Sequence, residues 1–275
     1  MRVTLMICLR PGCSNSALLH FTADLADRLD AEVVGIAGCQ PIVIATSEDW
    51  AIGDVVGQDR LQMQREIEAA RNEFMTMPGL RSHAPQWRSH VTPANLSTYV
   101  AREARCADLL IVGAMQDPPH ARPARDVDGG TLVLEAGRPV LLVPSASATL
   151  PLAQVLVAWK DTREARRAVL DALPLLRLAR RVAVVEIAPA IDEDAARHRV
   201  ADVSHWLHRH GIESAASVSR SYGEDANELA SVAQEMGADL LVAGAYGHGR
   251  LREWVLGGMS RDMLLHVEHC TLLSH

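Results

Sequence analysis

The chain has 275 residues, 48% of them hydrophobic, which is enough for two domains that each bury a core. A formal net charge of −7 argues against a general nucleic-acid binder, because contact with a phosphate backbone needs clustered positive charge. No run is long and apolar enough to span a bilayer, and five cysteines without a CxxC pair give no disulfide framework, so a reducing cytoplasm is the expected setting.

In chain order, residues 3–9 form an apolar run stopped by Arg10-Pro11-Gly12 with no small-residue cleavage site, and read as a buried first strand, not a signal peptide. A helix is expected over 16–29 and a second strand over 32–37. A further helical stretch at about 60–74 is rich in Gln and Glu, which leave little room for an apolar core face except through Leu61, Ile67 and Ala70, and reads as a surface or interface helix. A polar helix at 95–105 precedes a strand near 109–113, and residues 139–143 close this half. Residues 144–151 have the composition of a linker, placing domains at 1–147 and 152–275.

The second half repeats the order: strand 155–159, helix 163–178, strand 182–187, helix 225–236 and strand 271–273. Asp225 is the expected N-cap of the later helix, with Glu228 three residues on and Gly237 at its C-terminal end. Strands alternating with helices predict βαβ units, parallel sheets and right-handed crossovers. The expected fold is α/β, two tandem doubly wound parallel-sheet domains of about five strands each.

The halves read as copies. Ala107-Asp108-Leu109-Leu110-Ile111-Val112-Gly113-Ala114 returns as Ala238-Asp239-Leu240-Leu241-Val242-Ala243-Gly244-Ala245, an offset of 131, and the same offset carries Leu141-Leu142 onto Leu272-Leu273. A period this long means domain duplication, not a solenoid.

After the strand at 239–243 the chain reads Gly244-Ala245-Tyr246-Gly247, then nine residues, then Gly257-Gly258-Met259-Ser260. Glycines let a backbone approach a ligand closely, and free N–H groups beside a helix start attract anions. A glycine-rich connection without a ligand has similar local sequence. This spacing resembles the universal stress proteins, whose nucleotide-binding members carry Gly-x-x-Gly, nine residues, then Gly and a small residue. The resemblance implies a Rossmann-like domain of the adenine nucleotide alpha hydrolase type and a site for ATP or another adenine nucleotide, with or without Mg²⁺. It assigns phosphate contacts to Gly244, Gly247, His248, Gly249, Gly257, Gly258, Met259 and Ser260, with Arg250 as a further phosphate partner. Base and ribose would lie against Ala158, Trp159, Lys160 and Ile187. It also implies that the final strands pair, giving an intrachain pseudo-dimer, with a further homodimer available through the extra helix.

Two departures stand out. Nucleotide-binding members place an aspartate at the end of the first strand, where this chain has Lys160 and then Asp161; an ammonium cannot accept the hydrogen bonds a carboxylate would. Lys160 reaching a phosphate, Asp161 taking the role, and loss of binding are all open. In the first half Gln116 replaces the second glycine, a proline-rich stretch follows, and Gly129-Gly130 fall three positions late, so no nucleotide is expected there.

No catalytic residue is assigned. GxxxxGK[ST] and GxSxG are absent, and Glu253, Ser260 and Asp262 fit no hydrolytic motif, leaving at most a slow ATPase. No metal site is expected: His205, His208 and His210 lack evident further ligands, and Cys270 with His266 and His269 reads as core beside a terminal strand. The expectation is a nucleotide-binding stress-response regulator with no nucleic-acid or membrane partner; the alternative is a ligand-free interaction scaffold of the same fold.

Overall fold

A computed structural model describes residues 3–41, 51–113, 124–145, 147–223, 225–245 and 269–275. The chain divides into two compact units, Met1–Arg138 with Ser145–Thr149, and Pro139–Pro144 with Leu150–His275.

The first unit runs β1 (Thr4–Cys8), α1 (Ser16–Leu29), β2 (Glu32–Cys39), α2 (Ala51–Thr76), a 3-10 turn (Pro78–His83), β3 (Gln86–Val91), α3 (Leu96–Glu103), β4 (Leu109–Gly113) and α4 (Gly129–Glu135). Its sheet has the order β3-β2-β1-β4, all parallel. β1 and β2 are buried along nearly their whole length, which is why they read as continuous apolar runs without alternation. α1 buries Leu19, Leu25 and Ala26 and stops at Asp30, which is left-handed at φ 48°.

The extra helix departs from expectation. α2 is 26 residues long and is not a bare surface helix: Met63, Ile67, Ala70 and Phe74 are buried, whereas Leu61 is exposed. Spacings of three and four place the buried residues on one stripe. Met63 and Ile67 pack with Cys39, Trp87 and Val91, and the Phe74 and Trp87 ring centroids lie 5.8 Å apart. Gly129 and Gly130 also have a different setting, as the first residues of α4, whose N-cap Asp128 accepts a 2.7 Å hydrogen bond from the Thr131 N–H.

The second unit takes β5 (Val140–Val143) from the first half of the sequence and adds β6 (Val155–Trp159), α5 (Arg163–Leu176), β7 (Val182–Ala188), α6 (Glu193–Arg209), β8 (Ser214–Arg220), α7 (Asp225–Met236), β9 (Leu240–Gly244) and β10 (Cys270–Ser274). The order is β5-β10-β9-β6-β7-β8, parallel except for β5. On one face of this sheet Leu229 and Ala233 of α7 pack against Leu156, Ala183, Val185 and Leu241. α7 ends as its sequence predicts: Gly237 has φ 60°, and the Ala238 N–H reaches back to Ala233 O at 2.9 Å. Among the described residues no helix is long and apolar enough to cross a membrane.

β5 pairs antiparallel with β10 in the register Leu142↔Thr271, Leu141↔Leu272 and Val140↔Leu273. Leu141 and Leu272 are related by the 131-residue offset, so the pairing is symmetric about them. Both are 0% exposed. Leu141→Ala and Leu272→Ala are each expected to cost about 2–5 kcal/mol of stability. Because the two side chains belong to one cross-strand pair, the double variant should lose less than the sum, a non-additivity that urea unfolding of the three variants would measure.

Candidate functional site

In a doubly wound sheet, ligands sit beyond the carboxyl ends of the strands where the strand order reverses. The chain leaves β6 for β7 and β8 on one side, then returns to β9 on the other, so the second unit's crevice lies between β6 and β9. In the first unit the corresponding crevice lies between β1 and β4.

Strand alternation divides the sequence-predicted residues of the second unit between two faces. Ala158 and Ile187 pack with Leu156, Val185 and Leu241 against Leu229 and Ala233 of α7. Trp159 and Gly244 face the other way. Ser274 pairs with Gly244, Ala158 with Ala243, and Trp159 with Glu186, so Ser274, Gly244 and Trp159 are level across β10, β9 and β6. Lys160 follows, exposed to solvent, and Asp161 is engaged by Arg166 at 2.5 Å. Gly247, His248, Gly249, Arg250, Gly257, Gly258, Met259 and Ser260 lie outside the described residues.

Gly244 is explained by packing. A Cβ there would collide with the backbone N of Ala165 and fall 2.5 Å from the carbonyl carbon of Glu164, so the first turn of α5 lies directly against this glycine. That turn is capped by Thr162, whose hydroxyl accepts a 3.3 Å hydrogen bond from the Ala165 N–H. Glu164 is buried within it and pairs with Arg163. Burial alone would push its carboxyl pKa up. Hydrogen bonds from Arg163, from its own backbone N–H and from Thr162 outweigh this and hold it below the ordinary value.

Three buried side-chain N or O atoms among the described residues lack a hydrogen bond: Trp159 Nε1, Ser274 Oγ and Arg10 Nη2. Such groups are rare in folded proteins. Sequence reasoning missed Ser274, whose apolar strand gives no sign of a site. Trp159 and Ser274 flank Gly244 in the strand register, and both polar atoms are buried.

In the first unit a small cleft of about 20 Å³, open to solvent, is lined by Cys8, Arg10, Val112, Gly113, Arg125, Asp126 and Val127. Arg10 meets Asp126 through Nε at 2.9 Å and Nη2 at 2.8 Å, both on Oδ1. Arg125 meets Glu66 of α2 at 2.6 Å. The Cys8 thiol, pushed up to about 12 mainly by burial, stays protonated at neutral pH and is no nucleophile. Sequence reading gives none of these pairs, since Arg10 and Asp126 are 116 residues apart.

Elsewhere, His208 Nδ1 lies 2.7 Å from Glu213, and the His210 ring lies 4.2 Å from that of Trp206. Among the described residues no group of three or more His, Cys, Asp or Glu side chains is set to hold a metal. Cys270 is buried in β10.

No protein-family profile matches the chain, and no curated protein matches it in sequence. Solved structures do match. A universal stress protein from Archaeoglobus fulgidus DSM 4304 superposes with a TM-score of 0.71 at 12% identity, over 98% of this chain and 97% of that one. A putative universal stress protein from Pseudomonas aeruginosa UCBPP-PA14 gives 0.62 at 14% identity over 99% and 93%, and a functionally unknown protein from Pseudomonas aeruginosa PAO1 gives 0.62 at 15% over 98% and 92%. The chain is therefore an α/β protein of doubly wound sheets. Over its whole length its fold is that of the universal stress proteins.

Gly244→Ala should destabilise by at least about 1–3 kcal/mol, because the atoms it meets are backbone. At its repeat partner Gly113 an added Cβ would, among the described residues, meet only Leu18 Cδ2, at 3.8 Å. Gly113→Ala should thus be neutral or stabilising by up to about 1 kcal/mol; chemical denaturation of both variants compares them.

Glu164 supplies a pH test. Its folded pKa is depressed, so its contribution to stability is present above the ordinary value of 4.5 and is lost as pH falls through the lower folded value. Glu164→Gln should flatten the dependence of the thermal midpoint on pH in that acid range while leaving the slope near neutrality unchanged.

Proposed function

We propose that the protein is a tandem universal stress protein that binds one adenine nucleotide per chain, ATP in the first instance, through its second unit, and acts as a ligand-dependent stress-response regulator. The observation that carries this reading is the level row Ser274, Gly244 and Trp159 at the switch point, with two unsatisfied buried polar atoms, feeding directly into the sequence Gly244-x-x-Gly247 and Gly257-Gly258. An adenine nucleotide brings acceptors for the Trp159 N–H and oxyanions for a glycine-rich backbone, with Arg250 as a planar partner for phosphate. The nucleotide is proposed with or without Mg²⁺. Binding, not turnover, is the proposed activity, because the sequence carries no recognisable hydrolytic motif.

The setting proposed is the cytoplasm, and the partner a small-molecule nucleotide. A ligand-free scaffold of the same fold is the second reading, favoured by the covering of Gly244 by α5.

Calorimetric titration with ATP separates the two. The wild type should bind one ATP, and Gly247→Trp or Gly257→Trp should abolish binding without unfolding the protein. Trp159→Phe keeps the ring and deletes the donor, and should weaken binding about tenfold. Unchanged ATP affinity in both glycine variants would sink the assignment, and a wild type that binds no nucleotide would leave the scaffold reading.

A further inference from the structure

The two crevices carry a cation at one shared position and treat it differently. Cys8 pairs with Val112, and Ala158 pairs with Ala243; since 112 and 243 are related by the 131-residue repeat, Cys8 corresponds to Ala158. Two residues on, Arg10 corresponds to Lys160. By the same repeat, Asp126 stands at the sequence position that Gly257 holds in the other half.

We infer that Asp126 is a tethered carboxylate that occupies, in place of a ligand, an oxyanion site built on Arg10 in the first unit, and that Lys160 is the corresponding oxyanion contact of the second. The first clause is independent of the proposed nucleotide function; the second rests on it.

The first unit's geometry supports this. Arg10 is held at the carboxyl end of β1 by its backbone N–H, which donates to Asn15 Oδ1 at 2.8 Å. Two of its N–H groups converge on one oxygen of Asp126, and Nη2 does so without a well-aligned hydrogen bond. A phosphate or carboxylate offering two oxygens would meet the planar fork better. Asp126 is fixed in place from both sides. Ala124 O accepts from the Gln40 N–H at 2.8 Å, Arg125 is tied to Glu66, and the Asp128 N–H donates to Ser97 Oγ at 2.9 Å.

Among the described residues, Arg10 and Arg125 are countered by Asp126, Glu66 and Asp59, so these groups together offer an incoming anion no net positive charge. Deleting Asp126 would leave the Arg10 guanidinium, 20% exposed, without this partner. In the second half the sequence has glycine at the place of Asp126, and Lys160 is exposed to solvent.

The test is calorimetry with inorganic phosphate and, separately, acetate. Asp126→Gly, with Asp126→Asn as the same-shape variant in case the first fails to fold, should bind phosphate at least about tenfold more tightly at one additional site. That gain should vanish when Arg10→Met is added, and should persist when Lys160→Met is added. Failure of both Asp126 variants to gain an anion, or a gain that survives Arg10→Met, would overturn the assignment. Acetate binding equal to that of phosphate would identify a general oxyanion site, and a preference for phosphate a phosphate site; both support it.

For the second unit, Lys160→Met should weaken ATP binding at least about tenfold and adenosine binding by less than about twofold. Equal loss for the two ligands, or a rise in ATP affinity with Lys160→Asp, would overturn the Lys160 role. A wild type that binds neither ligand would defeat the nucleotide reading and, with it, the Lys160 clause, while the Asp126 result would stand on its own.

Discussion

The pairing of β5 with β10 is the constraint on which the second unit depends. β10 is buried along its length and has β9 on one side. Without β5 its other edge would present unpaired N–H and C=O groups, which a buried strand cannot leave unsatisfied. The chain meets that demand with four residues, Val140–Val143, from the other half of the sequence, all of them buried. Once β10 is fixed, the parallel register carries order onward to Gly244 and then to β6, which sets the crevice.

That crevice is held from the helix side as well. α5 reaches the sheet closely enough that β9 must end in a residue without a side chain, and a buried, internally hydrogen-bonded Glu164 lies in the contacting turn. A carboxylate is well placed at a helix N-terminus, where the peptide dipoles favour negative charge. The result is a closely packed border beside strand ends that hold two buried polar atoms without a hydrogen bond, Trp159 Nε1 and Ser274 Oγ.

Much of this architecture is legible in the sequence. α1 follows from amphipathic spacing, the C-terminal limit of α7 from its end signal at Gly237, and β6 from an apolar run, whereas Asp225, expected as the N-cap, is the first residue of α7. β3 and β8 carry little of that signal because they are outer strands: Gln-Trp-Arg-Ser-His-Val and Ser-Ala-Ala-Ser-Val-Ser-Arg are mostly polar or small, in keeping with their partial exposure. The buried stripe of α2 is hidden among Gln and Glu, since Met63 and the Phe74-Met75 pair declare no common face until the helix phase is known. At the site, glycine spacing points to the crevice after β9 but not to the packing reason for Gly244. Ser274 and the Arg10–Asp126 pair depend on contacts between distant segments, which local pattern does not encode.

The origin of β5 also orders the folding of the chain in time. Residues 140–143 are synthesised before every other strand of their unit, yet their partner, residues 270–274, comes after all of those strands. The contact between Leu141 and Leu272 closes a loop of 131 residues, a long-range pairing whose closure entropy must be met before the contact stabilises. During that interval a fully apolar strand waits without its partner and is open to wrong pairings. Its short length, four residues followed at once by Pro144, limits how far such a pairing could extend.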